Sequence, residues 1–138
     1  TATTEIYTLS LTTLFRSYDL HGVHTGPGPV TDTGWAEKNI EYALRLMKPG
    51  RIWLGIPAYG YRWCGSTAQA ISSKQGARIA QQYSSMRDRS GTLHLRWIDA
   101  GTRCEAFISD RHTRLHLQQL STRHGLAGIA LWRLGFED

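Results

Sequence analysis

Residues 35–61 read "WAEKNIEYALRLMKPGRIWLGIPAYGY" and hold the two elements on which the architecture turns. Trp35, Ile40, Ala43, Leu44 and Met47 recur at helical spacing, so one face of the segment is apolar. Asp32 or Thr33 can cap its start, and "PG" at 49–50 ends it. An unbroken apolar run at 52–56 follows and stops at Pro57. A run without polar alternation suits a strand buried on both faces, as in a parallel sheet. A helix feeding such a strand is half of a β-α-β unit, which predicts an α/β fold.

The flanking sequence extends the pattern. "YDLHG" at 18–22 reads as the functional end of a strand, and a loop rich in Gly, Pro and Thr follows it. "SSKQGARIAQQYS" predicts a second helix capped by Ser72 or Ser73, with Gly76 weakening its first turn. Leu93, Leu95 and Trp97 alternate with polar residues, "DAGT" turns, and Cys104, Ala106 and Ile108 alternate again. This is a hairpin pattern, with a turn one or two residues longer than the tightest type. Ser109 or Asp110 caps a third helix that ends at Gly125, and "LAGIALW" is a last strand.

Composition narrows the function. The 138 residues are 41% hydrophobic, enough for a packed core, and contain no apolar run of membrane-spanning length. The formal net charge is +5, and only 3 of the 16 basic residues are Lys. The basic residues stand singly; "RDR" at 87–89 and "RHTR" at 111–114 are the densest places, and neither belongs to a nucleic-acid-binding framework. A scattered, Arg-rich surface also suits acidic glycans and wall polymers. Cys64 and Cys104 show no metal spacing; they are either a disulfide or two buried thiols. His112 and His116 lie one helical turn apart, but no acid stands at usable spacing, so neither a metal nor a cofactor is expected. "GPGP" at 26–29 lacks the strand-to-helix context and the Lys-Ser/Thr of a phosphate loop.

Residues 1–17, "TATTEIYTLSLTTLFRS", have a second explanation. A DNA resembling the common short-read sequencing adapter translates into this stretch, with one base deleted part-way. The expectation is that 1–17 are adapter-derived and stay out of the fold, and that the natural sequence starts at Tyr18.

"YDLHG" with "GPGPV" and Trp35, "LGIPAYGYRW" at 54–63 and "GLAGIALWRLGFED" at 125–138 together resemble the C-terminal third of the family 18 glycoside hydrolases, on the bacterial spore-cortex and germination branch. The resemblance runs over 18–138. It implies part of a (β/α)8 barrel: the end of strand six at Asp19, helix six at 33–47, strand seven at 52–57, helix seven at 110–124 and strand eight at 128–132. A small α+β insertion after strand seven would occupy about 62–108. By this reading the polypeptide is a piece of a larger domain.

The same resemblance implies substrate-assisted, retaining hydrolysis of β-1,4 bonds in N-acetylglucosamine-containing polymers, chitin or peptidoglycan. The sugar's own N-acetyl group is the nucleophile, an exception to the two-carboxylate scheme. Tyr18 and Asp19 would clamp that group. Trp132 would form the floor under the reacting sugar, and Tyr59, Tyr61 and Trp63 would line the cleft. Ser17 departs from the Met that family members usually carry before this Tyr. The family's acid stands in a D-x-x-D-x-D-x-E pattern, and none of the 11 acidic residues is so spaced. This chain alone would therefore lack the chemical step. The alternative is a non-catalytic, glycan-binding member, a chitinase-like lectin. The compartment stays open; a parent secreted to, or associated with, the cell wall or spore is compatible with the branch.

Overall fold

A computed structural model describes residues 13–138, and side chains from Arg16 onward. Two sheets share the chain. The first is parallel, with strands β1 (Thr13–Arg16), β2 (Ile52–Pro57) and β8 (Gly128–Trp132) in the order β1-β2-β8. The second is antiparallel and is built between β2 and β8 in the sequence. Its strands are β3 (Tyr59–Cys64), β4 (Thr67–Ser72), β5 (Ser85–Arg87), β6 (Leu93–Asp99) and β7 (Thr102–Ile108), in the order β4-β3-β7-β6-β5.

Helices α1 (Thr33–Leu44) and α3 (Arg111–Arg123) cover one face of the parallel sheet. Ala36 and Ile40 of α1 and Leu117 and Leu120 of α3 close over Leu54 and Ile56 of β2, all almost fully buried. Trp53 and Trp132 lie on the opposite face, half exposed. Helix α2 (Ser73–Ala80) packs on the antiparallel sheet, where Ile71, Leu95, Ala106 and Ile108 form a second core.

The capping residues are Asp32, Ser72 and Asp110, each accepting a backbone N–H of the first turn. Ser72 and Gln75 form a reciprocal capping box. Helix α1 stops at Leu44, short of the expected 47. Pro49 has no N–H for the carbonyl of Arg45, and the last turn tightens onto Ala43.

The antiparallel sheet is larger than the predicted hairpin and begins earlier than 62. Tyr59, Tyr61 and Trp63 fall at period two, which marks β3, but the apolar run before them hides the boundary. The β6–β7 turn is also tighter than expected. Asp99 pairs with Thr102, leaving only Ala100 and Gly101 between, at φ +47° and +83°. Positive φ at both positions is the two-residue turn that matches strand twist.

Residues 13–16, expected to stay out of the sheet, pair in parallel with 52–55. Ser17 continues the pairing: its N–H and its hydroxyl both donate to the carbonyl of Gly55, at 2.9 and 2.6 Å. Backbone pairing is indifferent to the source of the codons. The rest of the expected adapter segment, residues 1–12, lies outside the described residues.

The chain passes from β2 to β3 through Ala58 alone. Ala58 N–H donates to the carbonyl of Trp132 at 2.7 Å, and Ala58 carbonyl accepts from Ser73 N–H at 3.0 Å. Ser109 donates its hydroxyl to Pro57 carbonyl at 2.7 Å and its N–H to Tyr59 carbonyl at 3.1 Å. At the C-terminus, Phe136 carbonyl accepts from Lys74 N–H at 3.0 Å, and Asp138 pairs with Arg114 at 2.9 Å.

Close packing accounts for two glycines. A Cβ at Gly60 would stand 1.8 Å from the backbone oxygen of Phe107, and one at Gly76 would stand 2.8 Å from the Ile108 side chain. Gly76 thus sets how closely α2 approaches the sheet. Gly60→Ala should cost about 3 kcal/mol, because a backbone atom cannot yield. Gly76→Ala should cost about 1 kcal/mol, since overpacking is partly offset by helix propensity. Urea unfolding of the two variants checks the order. Cys64 and Cys104 form a disulfide between directly opposed positions of β3 and β7. Reduction should lower stability by about 2–4 kcal/mol, read from the same unfolding curves with and without reductant.

Candidate functional site

The parallel sheet places the ends of its strands side by side. Tyr18 and Asp19 follow β1, Tyr59 and Tyr61 follow β2, and Trp132 is the last residue of β8. All of them therefore sit at the carboxyl edge of one sheet, the edge where open and closed α/β sheets bind ligands.

Asp19 adopts φ +70°, a left-handed conformation that few residues other than Gly take up and that Asp tolerates. Its carboxylate accepts a hydrogen bond from the Tyr59 hydroxyl at 2.7 Å. Arg16 stands 3.7 Å from the second carboxylate oxygen, but this pair is largely exposed and screened. A non-glycine residue held in this region next to a charged group is a feature that marks functional sites. Sequence reasoning paired Asp19 with Tyr18; the hydrogen bond comes instead from Tyr59, 40 residues away.

Burial divides the candidates into two sets. Tyr18, Tyr59 and Trp63 are each 8% exposed, so their rings are largely committed to packing. Asp19 and Trp132 are open to solvent, and Tyr61 is half-buried. The rings run in file. Tyr18 meets Tyr59 edge-on at 6.0 Å, Tyr59 meets Tyr61 edge-on at 5.8 Å, and Tyr61 meets Trp63 at 6.1 Å. Trp63 then meets Phe107 of β7 at 6.3 Å, and Phe107 stacks on His94 of β6 at 4.1 Å. Phe107 and His94 were not among the sequence candidates. Their signal was the same period-two alternation, read there only for the opposite face.

The Gly/Pro-rich loop is tied to this file. Trp63 Nε1–H donates to the carbonyl of Thr25 at 3.2 Å, and His21 Nδ1 lies 2.8 Å from the carbonyl of Pro29. Val30 is fully buried against Tyr18 and Tyr59, and Phe136 packs on the same cluster. Among the described residues, no group of three or more His, Cys, Asp or Glu side chains converges to hold a metal. No helix among them is long and apolar enough to cross a membrane.

Three phenols are harder to ionise than an ordinary tyrosine. Burial raises Tyr59 most, and its hydrogen bond to the Asp19 carboxylate raises it further. Burial also raises Tyr18 and Tyr61; at Tyr18 the Arg16 charge pulls the other way, and the Asp19 charge adds to both. The folded chain therefore holds these protons more tightly than the unfolded chain. Stability should be full below the ordinary phenol value of 10.0 and should fall as the pH climbs above it. Tyr59→Phe should flatten that fall, as measured by urea unfolding across alkaline pH. An equally steep fall in the variant would show that Tyr59 does not contribute.

No family model matches the chain. Individual relatives do. Over 134 residues it is 26% identical to the uncharacterised glycosylase YvbX of Bacillus subtilis, covering 88% of this chain and 38% of that protein. Over 118 residues it is 32% identical to the cortical fragment-lytic enzyme of Bacillus subtilis, covering 78% of this chain and 26% of the enzyme. The crystal structure of a chitinase from Chromobacterium violaceum superposes with a TM-score of 0.82 at 27% identity, over 91% of this chain and 41% of that one. The chain thus spans between about a quarter and two fifths of these relatives. Sequence and superposition agree, and the chain is similar to the family 18 glycoside hydrolase-like group, in its spore-cortex-lytic branch.

Proposed function

We propose that this chain forms one side of the substrate cleft of a glycosidase that cleaves N-acetylglucosamine-containing polymers of the bacterial wall or of chitin. The observation that carries the reading is the Tyr59–Asp19 hydrogen bond at the carboxyl edge of the parallel sheet, with Trp132 exposed at the end of the neighbouring strand. Names of the relatives support the polymer class: a cortical fragment-lytic enzyme and a chitinase.

In the proposed chemistry the acetamido oxygen of the bound sugar attacks its own anomeric carbon as the glycosidic bond breaks. Positive charge develops on the resulting oxazolinium ring. Asp19 is the carboxylate that faces this charge, and a fixed carboxylate is worth most where charge develops in the reaction. Tyr59 is a positioning residue: its hydroxyl holds one Asp19 oxygen, while the other faces solvent and the exposed Arg16. The Tyr18 ring packs edge-on against Tyr59, and its hydroxyl completes the clamp on the acetamido group. Trp132 supplies an apolar platform beneath the pyranose ring, and Tyr61 and Trp63 extend the wall outward. The acid that protonates the leaving oxygen comes from sequence outside this chain. A disulfide between Cys64 and Cys104 needs an oxidising compartment, which agrees with a wall substrate met outside the cytosol.

Steady-state kinetics on the longer protein that carries the acid test this reading. Asp19→Asn should lower turnover about 10²–10³-fold and leave substrate binding nearly intact, because its value lies in the transition state. Trp132→Ala should weaken binding and turnover together, since the sugar touches the platform before and during reaction. Near-full turnover in Asp19→Asn would remove the clamp assignment. Tight glycan binding without turnover in the parent would turn the reading to the glycan-binding alternative.

A further inference from the structure

The aromatic file lies on one face of the antiparallel sheet, and that face continues beyond the rings. By strand register Trp63 of β3 stands opposite Glu105 of β7, Glu105 opposite Arg96 of β6, and Arg103 opposite Ile98. A cavity of about 690 Å³ opens there, lined by Trp63, Arg96, Ile98, Arg103 and Glu105, with Pro27 of the Gly/Pro-rich loop as its rim. That volume is in the range of sites that hold one small ligand or a few units of a polymer. Trp63 belongs to both the file and the cavity, which sets the cavity on the same face of the sheet as the half-buried Tyr61.

The charges in the cavity are unevenly spent. One oxygen of Glu105 faces His94 Nε2 at 2.6 Å and Arg96 Nε at 3.4 Å, so the one carboxylate lining the cavity is already engaged. Arg96 uses only its Nε in this contact. Its two terminal nitrogens, and the whole guanidinium of Arg103, make no hydrogen bond among the described residues. Two planar cationic forks thus face a cavity whose inner wall is an indole. A guanidinium fork matches a carboxylate in two parallel hydrogen bonds and is weakly hydrated, so it suits this ligand better than an ammonium would.

Resting on the cleft proposed above, we infer that Arg96 and Arg103 form an outer subsite for a carboxylate carried by the glycan, which selects acid-substituted amino-sugar strands, as in peptidoglycan, over neutral chitin. The net charge of +5 acts in the same direction over longer range. The local forks add the selectivity that diffuse charge lacks.

Binding of the 138-residue chain to three probes tests this by calorimetry. The probes are a neutral chitin oligosaccharide, peptide-free peptidoglycan strands with free lactyl carboxylates, and the same strands with those carboxyls reduced to alcohols. Free-carboxylate strands should bind about fivefold to tenfold more tightly than reduced ones, the worth of a partly exposed charged hydrogen-bonded pair. The ratio should fall below about twofold in the Arg96→Gln, Arg103→Gln double variant and fall partway in Arg103→Gln alone. Lys38→Gln with Lys48→Gln makes the same charge change on α1 and just beyond it, and should keep the ratio. Equal affinity for free and reduced strands, or a ratio unchanged in the double variant, overturns the subsite and leaves the cleft standing. Loss of the ratio in the lysine variant would assign it to diffuse charge and overturn the subsite too. Binding of none of the probes overturns the cleft and the subsite together.

Discussion

The constraint beneath the whole arrangement is the passage of the backbone from one sheet to another with a single residue between them. Buried peptide groups must be paired, and a junction without a loop has no water to pair them. Here Ala58 joins the end of β8 to the start of α2, while Ser109 closes the gap between Pro57 and Tyr59. Ser73 adds a hydroxyl bond to the carbonyl of Ser109. Both serines are fully buried, which polar side chains tolerate only when hydrogen-bonded. Because the junction is so short, Tyr59 emerges at a fixed place beside β1, and its hydroxyl meets Asp19. Site geometry thus follows from backbone satisfaction two residues upstream.

The parallel layer was legible because its signals are strong and local. The run at 52–56 and "LAGIALW" read as strands from the residues alone, the family resemblance supplied the observed bounds 52–57 and 128–132, and each helix start fell at one of the two caps proposed for it. The antiparallel layer was half legible. Leu93, Leu95 and Trp97, with Cys104, Ala106 and Ile108, showed the face that packs on α2. Strand β5 is exposed throughout and β4 is buried only at Ile71 and Ser72, so neither carries a full alternating pattern. The tight turn at 100–101 escaped because Ala at its first position is not the residue that positive φ favours.

Of the candidate site, the residue types were legible and the pairings were not. Asp19 and Trp132 stood out as polar and aromatic residues at strand ends. The Tyr59–Asp19 contact spans 40 positions, and no local pattern encodes such a contact. Gly76 shows the opposite error. It read as a weakness of α2, yet it is the residue that lets the helix lie against Ile108. β1 adds a third case. Parallel pairing draws on backbone groups, so "TLFR" takes its place beside β2 whatever its side chains record of their origin.

The covalent link between Cys64 and Cys104 has a consequence for recognition. It ties β3 to β7 one position beyond Trp63 and one before Glu105. Those neighbours stand opposite each other across β3 and β7, between the Tyr61–Phe107 pair and Arg103. A strand pair stapled there cannot splay, so the spacing of β3 and β7 beneath the Trp63 ring and Arg103 is set in the free protein. In the proposed cleft such a wall would act as a ruler, testing the repeat of substituents along a glycan against a fixed interval. A ruler of this kind would lose little conformational entropy on contact, and would discriminate by geometry a difference that a pliant surface would absorb.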